Sequence, residues 1–331
     1  MTIKRSMRTG LILFLPLLGA FSIAIAGDCG NLTDSSRAEH ILATGDVACN
    51  TVHADEAKAV VEQQVADELE TKPEINKHVR GPALRSSSAL ILDQGTGQIL
   101  YSKNADNVMP IASITKLMTA MVVLDKQLPL DEKITISKED MDHIKNTSSR
   151  LKVGVTLTRR QLLQLALMSS ENRAAASLAR TYPGGLPSFV VAMNHKAAML
   201  GMKNSHFVDS TGLNSANQST AEDLAKMVNA AYKYDLICKI TTTAAYDVPA
   251  HKRDLAYRNT NSLVKSKSWK IGLSKTGFIN EAGHCLVMQA KIASQPMIIV
   301  LLDSWGKYTR LGDANRIKKW LESSLVRNHM G

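Results

Sequence analysis

The chain has 331 residues, of which 44% are hydrophobic and 21% charged, a composition typical of one large or two modest globular domains. This balance excludes collagen, a long coiled coil and wholesale disorder. The formal net charge of +10 would suit an anionic partner, but the basic residues are scattered and aromatic residues make up only 5% of the chain, so nucleic-acid binding is not expected.

The first 26 residues are typical of a secretory signal peptide. Three basic residues precede an apolar run at 11–25, and Ala24 and Ala26 supply the small residues of a cleavage site. The apolar run is short and contains Pro16, which disfavours an uncleaved membrane-spanning helix. We therefore expect export to the periplasm and a mature protein without a stable membrane anchor.

Residues 27–84 are polar and rich in glutamate, which predicts a loosely structured spacer ahead of a globular domain at residues 85–331. Export permits disulfides, and Cys29 and Cys49 could close a loop in this spacer. Cys285 lies in an apolar run and is predicted to be a buried thiol, whereas the pairing of Cys238 stays open. Because the histidines are dispersed without ligand spacing, no metal and no other cofactor is expected.

The globular part begins with two apolar runs, at 88–93 and 98–101, around a glycine-containing turn, which predicts a β-hairpin. The next stretch, 110–124, is apolar nearly all the way round and predicts a buried helix. Ser113 and Lys116 stand one turn apart on this helix, so their side chains share a face. A buried lysine is costly unless it is neutral or paired, and this one calls for an explanation.

The middle of the chain is predicted to be mostly helical from residue 128 to 180. A capping box formed by Thr158 and Gln161 opens one helix, and a break at 169–172 separates that helix from the next. Two helices are predicted in this region, at 162–168 and 173–181, and two more follow it, at 188–200 and 220–232.

Beyond residue 268 the pattern changes to three strand-like runs and a final helix. The strands are predicted at 269–278, 284–292 and 296–303, and the helix at 311–326. Strands at both ends of a helical middle predict an α+β fold, in which one antiparallel β-sheet is flanked by helices and carries a mostly helical insertion.

Three short motifs carry the candidate chemistry. They are Ser113-Ile114-Thr115-Lys116, Ser170-Glu171-Asn172 and Lys275-Thr276-Gly277. Each is weak alone, since S-x-x-K recurs at 149–152 and 262–265, and S-x-N recurs at 102–104 and 215–217. In this order, with the first on a buried helix, the second in a helix break and the third on a strand, they form the signature of penicillin-binding proteins and class A β-lactamases.

With these motifs the chain resembles the low-molecular-mass penicillin-binding proteins, which are serine D-alanyl-D-alanine peptidases, and above all their periplasmic DD-endopeptidase branch. The resemblance spans roughly residues 88–320 and implies a β-lactamase/transpeptidase-like, DD-peptidase fold for residues 85–331. Two positions depart from the common pattern. One is Glu171, in the middle of the S-x-N motif. The other is Thr260, where carboxypeptidase relatives often carry arginine, which argues against trimming of terminal D-alanine.

The resemblance also implies a role for each motif residue. Ser113 would attack a carbonyl between two D-amino acids and form an acyl-enzyme, Lys116 would act as its base, and Ser170 would relay a proton to the leaving amine. Burial and the nearby charge of Lys275 would keep Lys116 neutral. The implied substrate-binding groups are the side chain of Asn172, the K-T-G residues Lys275, Thr276 and Gly277, and the backbone N–H of Phe278, which with that of Ser113 would form an oxyanion hole.

The activity implied is that of a penicillin-sensitive DD-endopeptidase that cuts peptide cross-links of peptidoglycan, with β-lactam antibiotics as covalent inhibitors. A D-alanyl-D-alanine carboxypeptidase is the alternative; the short polar segment after the last helix leaves no room for the C-terminal anchoring domain of such enzymes and favours the endopeptidase. A β-lactamase is less expected, because Glu222 is the only glutamate between residues 173 and 229 and is explained by its place in a helix N-terminus. A non-catalytic wall-binding protein is also less expected, because every motif residue is present.

Overall fold

The computed structural model describes residues 81–249 and 254–327 of the chain. The predicted signal peptide at 1–26 and nearly all of the predicted spacer at 27–84, with its two cysteines, lie outside these residues. No helix within the described ranges is both long enough and apolar enough to cross a membrane.

Within the described residues the chain forms eleven strands and seven α-helices. The strands are β1 Ser86–Asp93, β2 Ile99–Lys103, β3 Met109–Pro110, β4 Lys133–Thr135, β5 Thr156–Thr158, β6 Gln218–Ser219, β7 Ala245–Val248, β8 Leu255–Arg258, β9 Lys270–Ile279, β10 Gly283–Ile292 and β11 Gln295–Ser304. The helices are α1 Thr115–Asp125, α2 Arg159–Met168, α3 Asn172–Arg180, α4 Gly185–Met199, α5 Ala221–Ala231, α6 Asp235–Thr241 and α7 Thr309–Arg327.

A five-stranded antiparallel sheet forms the centre of the fold, in the order β2-β1-β11-β10-β9. The predicted hairpin and the predicted three-stranded meander are both confirmed. The first strand lies inside the sheet, because β1 pairs with β11 from Ser86 opposite Ser304 to Asp93 opposite Met297. The strand β9, which carries the K-T-G motif, forms one edge of the sheet.

Alternate residues of the sheet bury two separate apolar faces. Ala89 and Ile91 point toward a core shared with Ile317 and Leu321 of α7, whereas Leu90 and Val287 point toward the larger core of the helical region. A strand buried on both faces reads as a continuous apolar run, which is why β1, β10 and β11 lack polar alternation. The sheet is thus covered by α7 on one side and by the helical region on the other, and the predicted α+β fold is confirmed.

The helix α1 lies in the middle of the helical region and packs against α2, α3, α4 and α5. Its residues from Thr115 to Val123 are all buried, as its apolar sequence predicts. The helix begins later than predicted, because a short 3-10 turn at Ala112–Ile114 precedes it. Ser113 therefore lies in the 3-10 turn and Lys116 in the first turn of α1.

The prediction of helix from residue 128 to 158 is wrong. This segment contains the small sheet formed by β4 and β5, a 3-10 turn and a long irregular loop. Side chains alternate in burial around β4, where Ile134 and Ile136 are buried and Thr135 is exposed, and this period of two is that of a strand. The antiparallel pair of strands β7 and β8 and the helix α6 have no counterpart among the predicted elements.

The helix boundaries set by side-chain caps are confirmed. The side chain of Thr158 accepts a hydrogen bond from the backbone N–H of Gln161, whose own side chain accepts from the backbone N–H of Thr158. Thr220 caps α5 in the same way by accepting from the N–H of Asp223. Cys285 is fully buried and unpaired, as expected, and Cys238 is a partly exposed free thiol.

A buried carboxylate joins the start of the sheet to the last helix. Asp313 in α7 accepts hydrogen bonds from the backbone N–H groups of Arg85 and Ser86 and from the Ser86 hydroxyl, at 2.6 to 3.1 Å, and pairs with Arg316. Burial alone would raise the pKa of Asp313, but the hydrogen bonds from Ser86 and Arg85 outweigh it and lower the pKa below its usual value.

We expect Asp313→Asn to lower the free energy of unfolding at pH 7 by about 2 kcal/mol, because an amide cannot accept all of these hydrogen bonds. Since the folded pKa lies below the unfolded one, the stabilisation is present above about pH 4 and is lost as the pH falls through the folded value. Urea unfolding at pH 7 and at pH 3 measures both effects. Glu322, which is partly exposed and pairs with Lys318 in the same helix, provides the control, since Glu322→Gln should change stability by less than about 0.5 kcal/mol. A pH-independent difference for Asp313→Asn would contradict the assignment.

Candidate active site

The amine of Lys116 is the centre of the site. Its Nζ lies 2.7 Å from Ser113 Oγ, 2.8 Å from Asn172 Oδ1 and 2.7 Å from the carbonyl oxygen of Thr211. The side chain is fully buried, and burial lowers the pKa of the amine to about 7, although the carboxylates of Asp209 and Glu171 oppose the shift. Near neutral pH a large fraction of this lysine is therefore uncharged.

The three partners of Lys116 also decide how a neutral amine is oriented. An uncharged amine has two N–H donors and one lone pair, whereas an amide oxygen and a carbonyl oxygen can only accept. Asn172 Oδ1 and the Thr211 carbonyl thus take the two N–H groups. The lone pair is left for the hydroxyl proton of Ser113, which is the arrangement that a serine nucleophile needs.

The backbone around Ser113 is held in an unusual conformation. Ala112, the residue before it, has a φ of 47°, a region that costs energy for any residue with a side chain. Two glycines allow other segments to approach this point: a Cβ at Gly212 would lie 1.9 Å from the Ala112 carbonyl oxygen, and one at Gly277 would lie 3.2 Å from the Ser113 nitrogen. The segment that carries Ser113 is thereby held between the 209–214 loop and the strand β9.

Ser170 lies in the break between α2 and α3, as predicted, with a φ of 62°. Its Oγ is 2.8 Å from Lys275 Nζ on β9. A continuous helix could not present this hydroxyl to a neighbouring strand, so the break is what brings the S-x-N motif and the K-T-G motif together.

Asn172 connects the same break to the two sides of the cleft. While its Oδ1 accepts from Lys116, its Nδ2 donates to Thr147 Oγ1 at 3.1 Å. Thr147 belongs to the irregular loop at 141–155, and Lys145 in that loop pairs with Glu281 in the β9–β10 turn. One wall of the cleft is therefore a loop tied to both the helices and the sheet.

The K-T-G residues lie on the edge strand beside these groups. Lys275 is buried, and its Nζ donates to the carbonyl oxygen of Thr276 at 2.8 Å, while Thr276 Oγ1 lies 2.6 Å from Thr260 Oγ1. Burial holds the pKa of Lys275 well below its usual value, and the charges of Lys116 and Arg310 lower it further. The backbone of Phe278 follows directly, and the ring of this residue is half exposed at the mouth of the cleft.

Burial and a neighbouring amine, the two expected causes of a low lysine pKa, both act in this site. Burial is the largest cause of the lowered pKa of Lys116, and the charges of Asp209 and Glu171 oppose it. The repulsion between Lys116 and Lys275 lowers the pKa of Lys275. Because repulsion between two positive charges is mutual, it disfavours having both amines protonated at once.

The cleft encloses about 500 Å³ and brings together all of the predicted site residues except Lys116 and Lys275, which lie buried beneath its surface. It also contains cationic side chains that the motifs did not indicate, at Lys145, Lys307 and Arg310. Burial and the charges of Arg310 and Lys307 together lower the pKa of His284, which lines the same cleft.

Arg310 and the Thr211 carbonyl are the main features that the sequence could not indicate. Arg310 stands in the first turn of α7, remote in sequence from every motif, and its Nε is buried without a hydrogen-bond partner. The carbonyl of Thr211 belongs to the backbone, so residue type says nothing about it. The one sequence signal for Arg310 is that a basic residue stands near the start of the final helix. Among the residues that the structure describes, no His, Cys, Asp or Glu side chains are grouped as metal ligands.

Comparison with known proteins gives a consistent picture. Residues 75–306 match the model of peptidase family S11, described as D-alanyl-D-alanine carboxypeptidase. A D-alanyl-D-alanine endopeptidase of Pseudomonas aeruginosa is 53% identical over 245 residues, which is 73% of this chain and 79% of that protein. One from Escherichia coli is 49% identical over 249 residues, with 74% and 80% covered. The crystal structure of the Streptomyces K15 DD-transpeptidase is 35% identical, with a TM-score of 0.69, and covers 73% of this chain and 98% of its own.

The protonation of Lys116 can be measured directly. We expect the Cε resonance of this residue, in protein with ¹³C-labelled lysine, to titrate with a midpoint near pH 7. Because Glu171 raises the pKa of the amine, Glu171→Gln should move the midpoint to lower pH. The exposed Lys126 serves as an internal control in the same spectra, and a Lys116 midpoint above about pH 9 would contradict the assignment.

Proposed function

The chain belongs to the D-alanyl-D-alanine carboxypeptidase family of serine peptidases, and within that family we propose that it is a DD-endopeptidase that hydrolyses D-alanyl cross-links of peptidoglycan. The observation that carries the proposal is the buried Lys116 amine, with a pKa of about 7, at 2.7 Å from Ser113 Oγ. Hydrolysis runs through an acyl-enzyme, and no cofactor takes part.

Acylation begins when the neutral Lys116 accepts the hydroxyl proton of Ser113. Ser113 Oγ then attacks the carbonyl carbon of the D-alanyl residue, and the carbonyl oxygen becomes an oxyanion. The backbone N–H groups of Ser113 and Phe278 stabilise this oxyanion. The close approach of Gly277 to the Ser113 nitrogen supports this assignment, since it sets β9 directly against the segment that carries Ser113.

The leaving amine takes up a proton through Ser170. Ser170 Oγ donates its proton to the leaving nitrogen and regains one from the Lys116 ammonium, so that the C–N bond breaks and Lys116 is neutral again. The contact of 2.8 Å between Ser170 Oγ and Lys275 Nζ supports this role, since it holds the hydroxyl in the cleft. Water then enters, and Lys116 takes a proton from it as it attacks the acyl carbon and returns a proton to Ser113 Oγ as the ester bond breaks.

Substrate recognition is shared between Asn172 and the K-T-G strand. The amide of Asn172 holds a substrate amide, and Lys275 and Thr276 bind the anionic end beside the scissile bond. We add Arg310 to this group, because a guanidinium keeps its charge at all relevant pH values, whereas the pKa of Lys275 is strongly lowered. A permanent cation in the cleft supports binding of a carboxylate on the leaving-group side.

Two observations favour the endopeptidase over a carboxypeptidase. Relatives at 53% and 49% identity bear the name D-alanyl-D-alanine endopeptidase, whereas a D-alanyl-D-alanine carboxypeptidase of Streptomyces sp. is 35% identical. Thr260 also replaces an arginine that is frequent in carboxypeptidases, and its hydroxyl contacts Thr276 at 2.6 Å. Trimming of terminal D-alanine remains the second candidate, since it uses the same groups.

The proposal includes the protein's setting. A signal peptide at residues 1–26 would direct the chain to the periplasm, where peptidoglycan is the substrate and β-lactams acylate Ser113. The spacer at 27–84 and the catalytic domain at 85–331 follow. Against a β-lactamase stands Glu222, which lies in the first turn of α5 and does not line the cleft.

We expect a fluorescent penicillin to label the mature protein covalently and Ser113→Ala to abolish the labelling, since Ser113 supplies the hydroxyl that contacts Lys116 in the described part of the chain. Gel fluorescence after denaturation measures the covalent labelling. Ser262, the exposed serine of another S-x-x-K match, is the matched control, and Ser262→Ala should label like the wild type. Persistent labelling of Ser113→Ala would overturn the choice of nucleophile.

Digestion of purified cross-linked peptidoglycan distinguishes the two peptidase activities. We expect dimeric muropeptides to disappear without release of free D-alanine. Chromatography of the products measures both. Release of D-alanine from monomeric pentapeptides at a comparable rate would instead identify a carboxypeptidase, and rapid turnover of penicillin a β-lactamase.

A further inference from the structure

A polar recess of about 540 Å³ opens next to the catalytic cleft and has no role in the steps described above. We call it the Arg150 recess; residues 148–150, 169–172 and 256–258 line it. It shares Ser170 and Asn172 with the cleft, so the two spaces meet at the S-x-N motif. A substrate chain that passes Ser170 would enter it.

The recess contains a buried donor without a partner. Tyr257 is only 2% exposed, and its hydroxyl makes no hydrogen bond within the described part of the chain. Burial, together with the charge of Glu171, raises the pKa of this phenol to about 12, so the hydroxyl keeps its proton. An unpaired buried hydroxyl costs folding free energy, and a ligand that accepts its hydrogen bond would remove that cost.

Arg150 stacks on the ring that carries this hydroxyl. Its guanidinium carbon lies 4.3 Å from the centre of the Tyr257 ring, and its Nη1 donates to the carbonyl oxygen of Ala256 at 2.7 Å. The remaining N–H groups of the guanidinium are free, and no carboxylate of the described residues pairs with it. A guanidinium held by stacking and one hydrogen bond is ordered in advance for a carboxylate.

The charge of the recess favours an anion. Arg150 and Arg258 contribute two positive charges, against one negative charge from Glu171. The Glu171 carboxylate is already engaged, since its Oε1 accepts from Ser149 Oγ at 2.7 Å and from the backbone N–H of Arg173 at 3.3 Å. The unpaired donors therefore belong to Tyr257 and the arginines.

The position of the recess identifies the part of the substrate that it meets. In the proposed reaction Ser170 protonates the leaving amine, and Arg258 lies two residues before Thr260, which contacts Thr276 on the same side. The recess thus continues the leaving-group side of the cleft. When a single D-alanine leaves, nothing extends so far, whereas a cross-link releases a whole peptide with further carboxylates.

We propose that the Arg150 recess is a carboxylate-binding subsite for the peptide strand on the leaving-group side, with Arg150 and the Tyr257 hydroxyl as its donors. The proposal rests on the proposed endopeptidase function and specifies how that activity selects cross-linked peptides. Arg258, exposed at the rim, contributes charge.

The test compares two substrates on the same full-length mature protein. The first substrate is a purified cross-linked muropeptide dimer, and the second is penicillin, which has no leaving peptide. Tyr257→Phe and Arg150→Gln should each lower kcat/KM for the dimer about tenfold. The rate of acylation by penicillin should stay the same. The loss should appear mainly in KM, because the contact is equal in the ground state and the transition state. Tyr257→Phe removes an unpaired hydroxyl and should fold at least as stably as the wild type.

Two matched controls accompany the variants. Tyr246 is the cross-strand neighbour of Tyr257 outside the recess, and Arg160 is an exposed arginine remote from it; Tyr246→Phe and Arg160→Gln should leave the ratio of the two rates unchanged. If the wild type cleaves the dimer and both recess variants cleave it equally well, the subsite is overturned while the endopeptidase stands. If both rates fall together, the substitutions disturb Ser170 and the subsite is likewise overturned. If the wild type does not cleave the dimer, the proposed function fails and takes the subsite with it.

Discussion

The site depends on the buried amine of Lys116, which contacts no carboxylate among the described residues. Lys116 is surrounded by a hydroxyl, an amide oxygen and a backbone carbonyl, none of which carries a charge. Had a carboxylate stood at any of these positions, the ammonium form would be stabilised and the amine would be useless as a base at neutral pH. Because each partner comes from a different segment of the chain, the same three contacts that tune the amine also join the 3-10 turn, the helix break and the 209–214 loop. The contacts that surround the amine of Lys116 are therefore also the contacts that hold the site together.

This arrangement requires a strained backbone at two positions. Ala112 and Ser170 both have positive φ values, and each lies at or next to a motif serine. Neither conformation is favourable by itself, so the surrounding packing must impose it. The buried helix α1 lies on one side, and β9 packs against the segment that carries Ser113 on the other, at a distance that a residue larger than Gly277 would not permit. The strain at Ala112 and Ser170 is thus sustained by their packing between α1 and β9.

The features that could be predicted from the sequence are those that depend on local sequence patterns. The apolar run of α1, the three long strands and the caps at Thr158 and Thr220 all depend on neighbours within one or two turns. They were found where expected, except that a 3-10 turn replaces the first residues of the predicted helix at α1. The region from 128 to 158 failed because its β4 and β5 strands are three residues each, too short for a period to show. At the site, the motif residues were evident, but Arg310, the Thr211 carbonyl and the Tyr257 hydroxyl were not. Their importance comes from what the fold places near them, and no local pattern encodes it.

The place of β1 inside the sheet has a consequence for how the molecule forms. β1 is one of the first elements of the described core to be synthesised, yet it pairs with β11, whose register partner Ser304 lies more than 200 residues after Ser86. Closing so long a loop is entropically expensive, and contacts of this separation slow folding. The sheet cannot be completed before the final third of the chain is available, and Lys275 reaches Ser170 only on that sheet. An unfinished chain therefore has Ser113 and Lys116 but no cleft, and the hydrolytic activity appears only with the last strands.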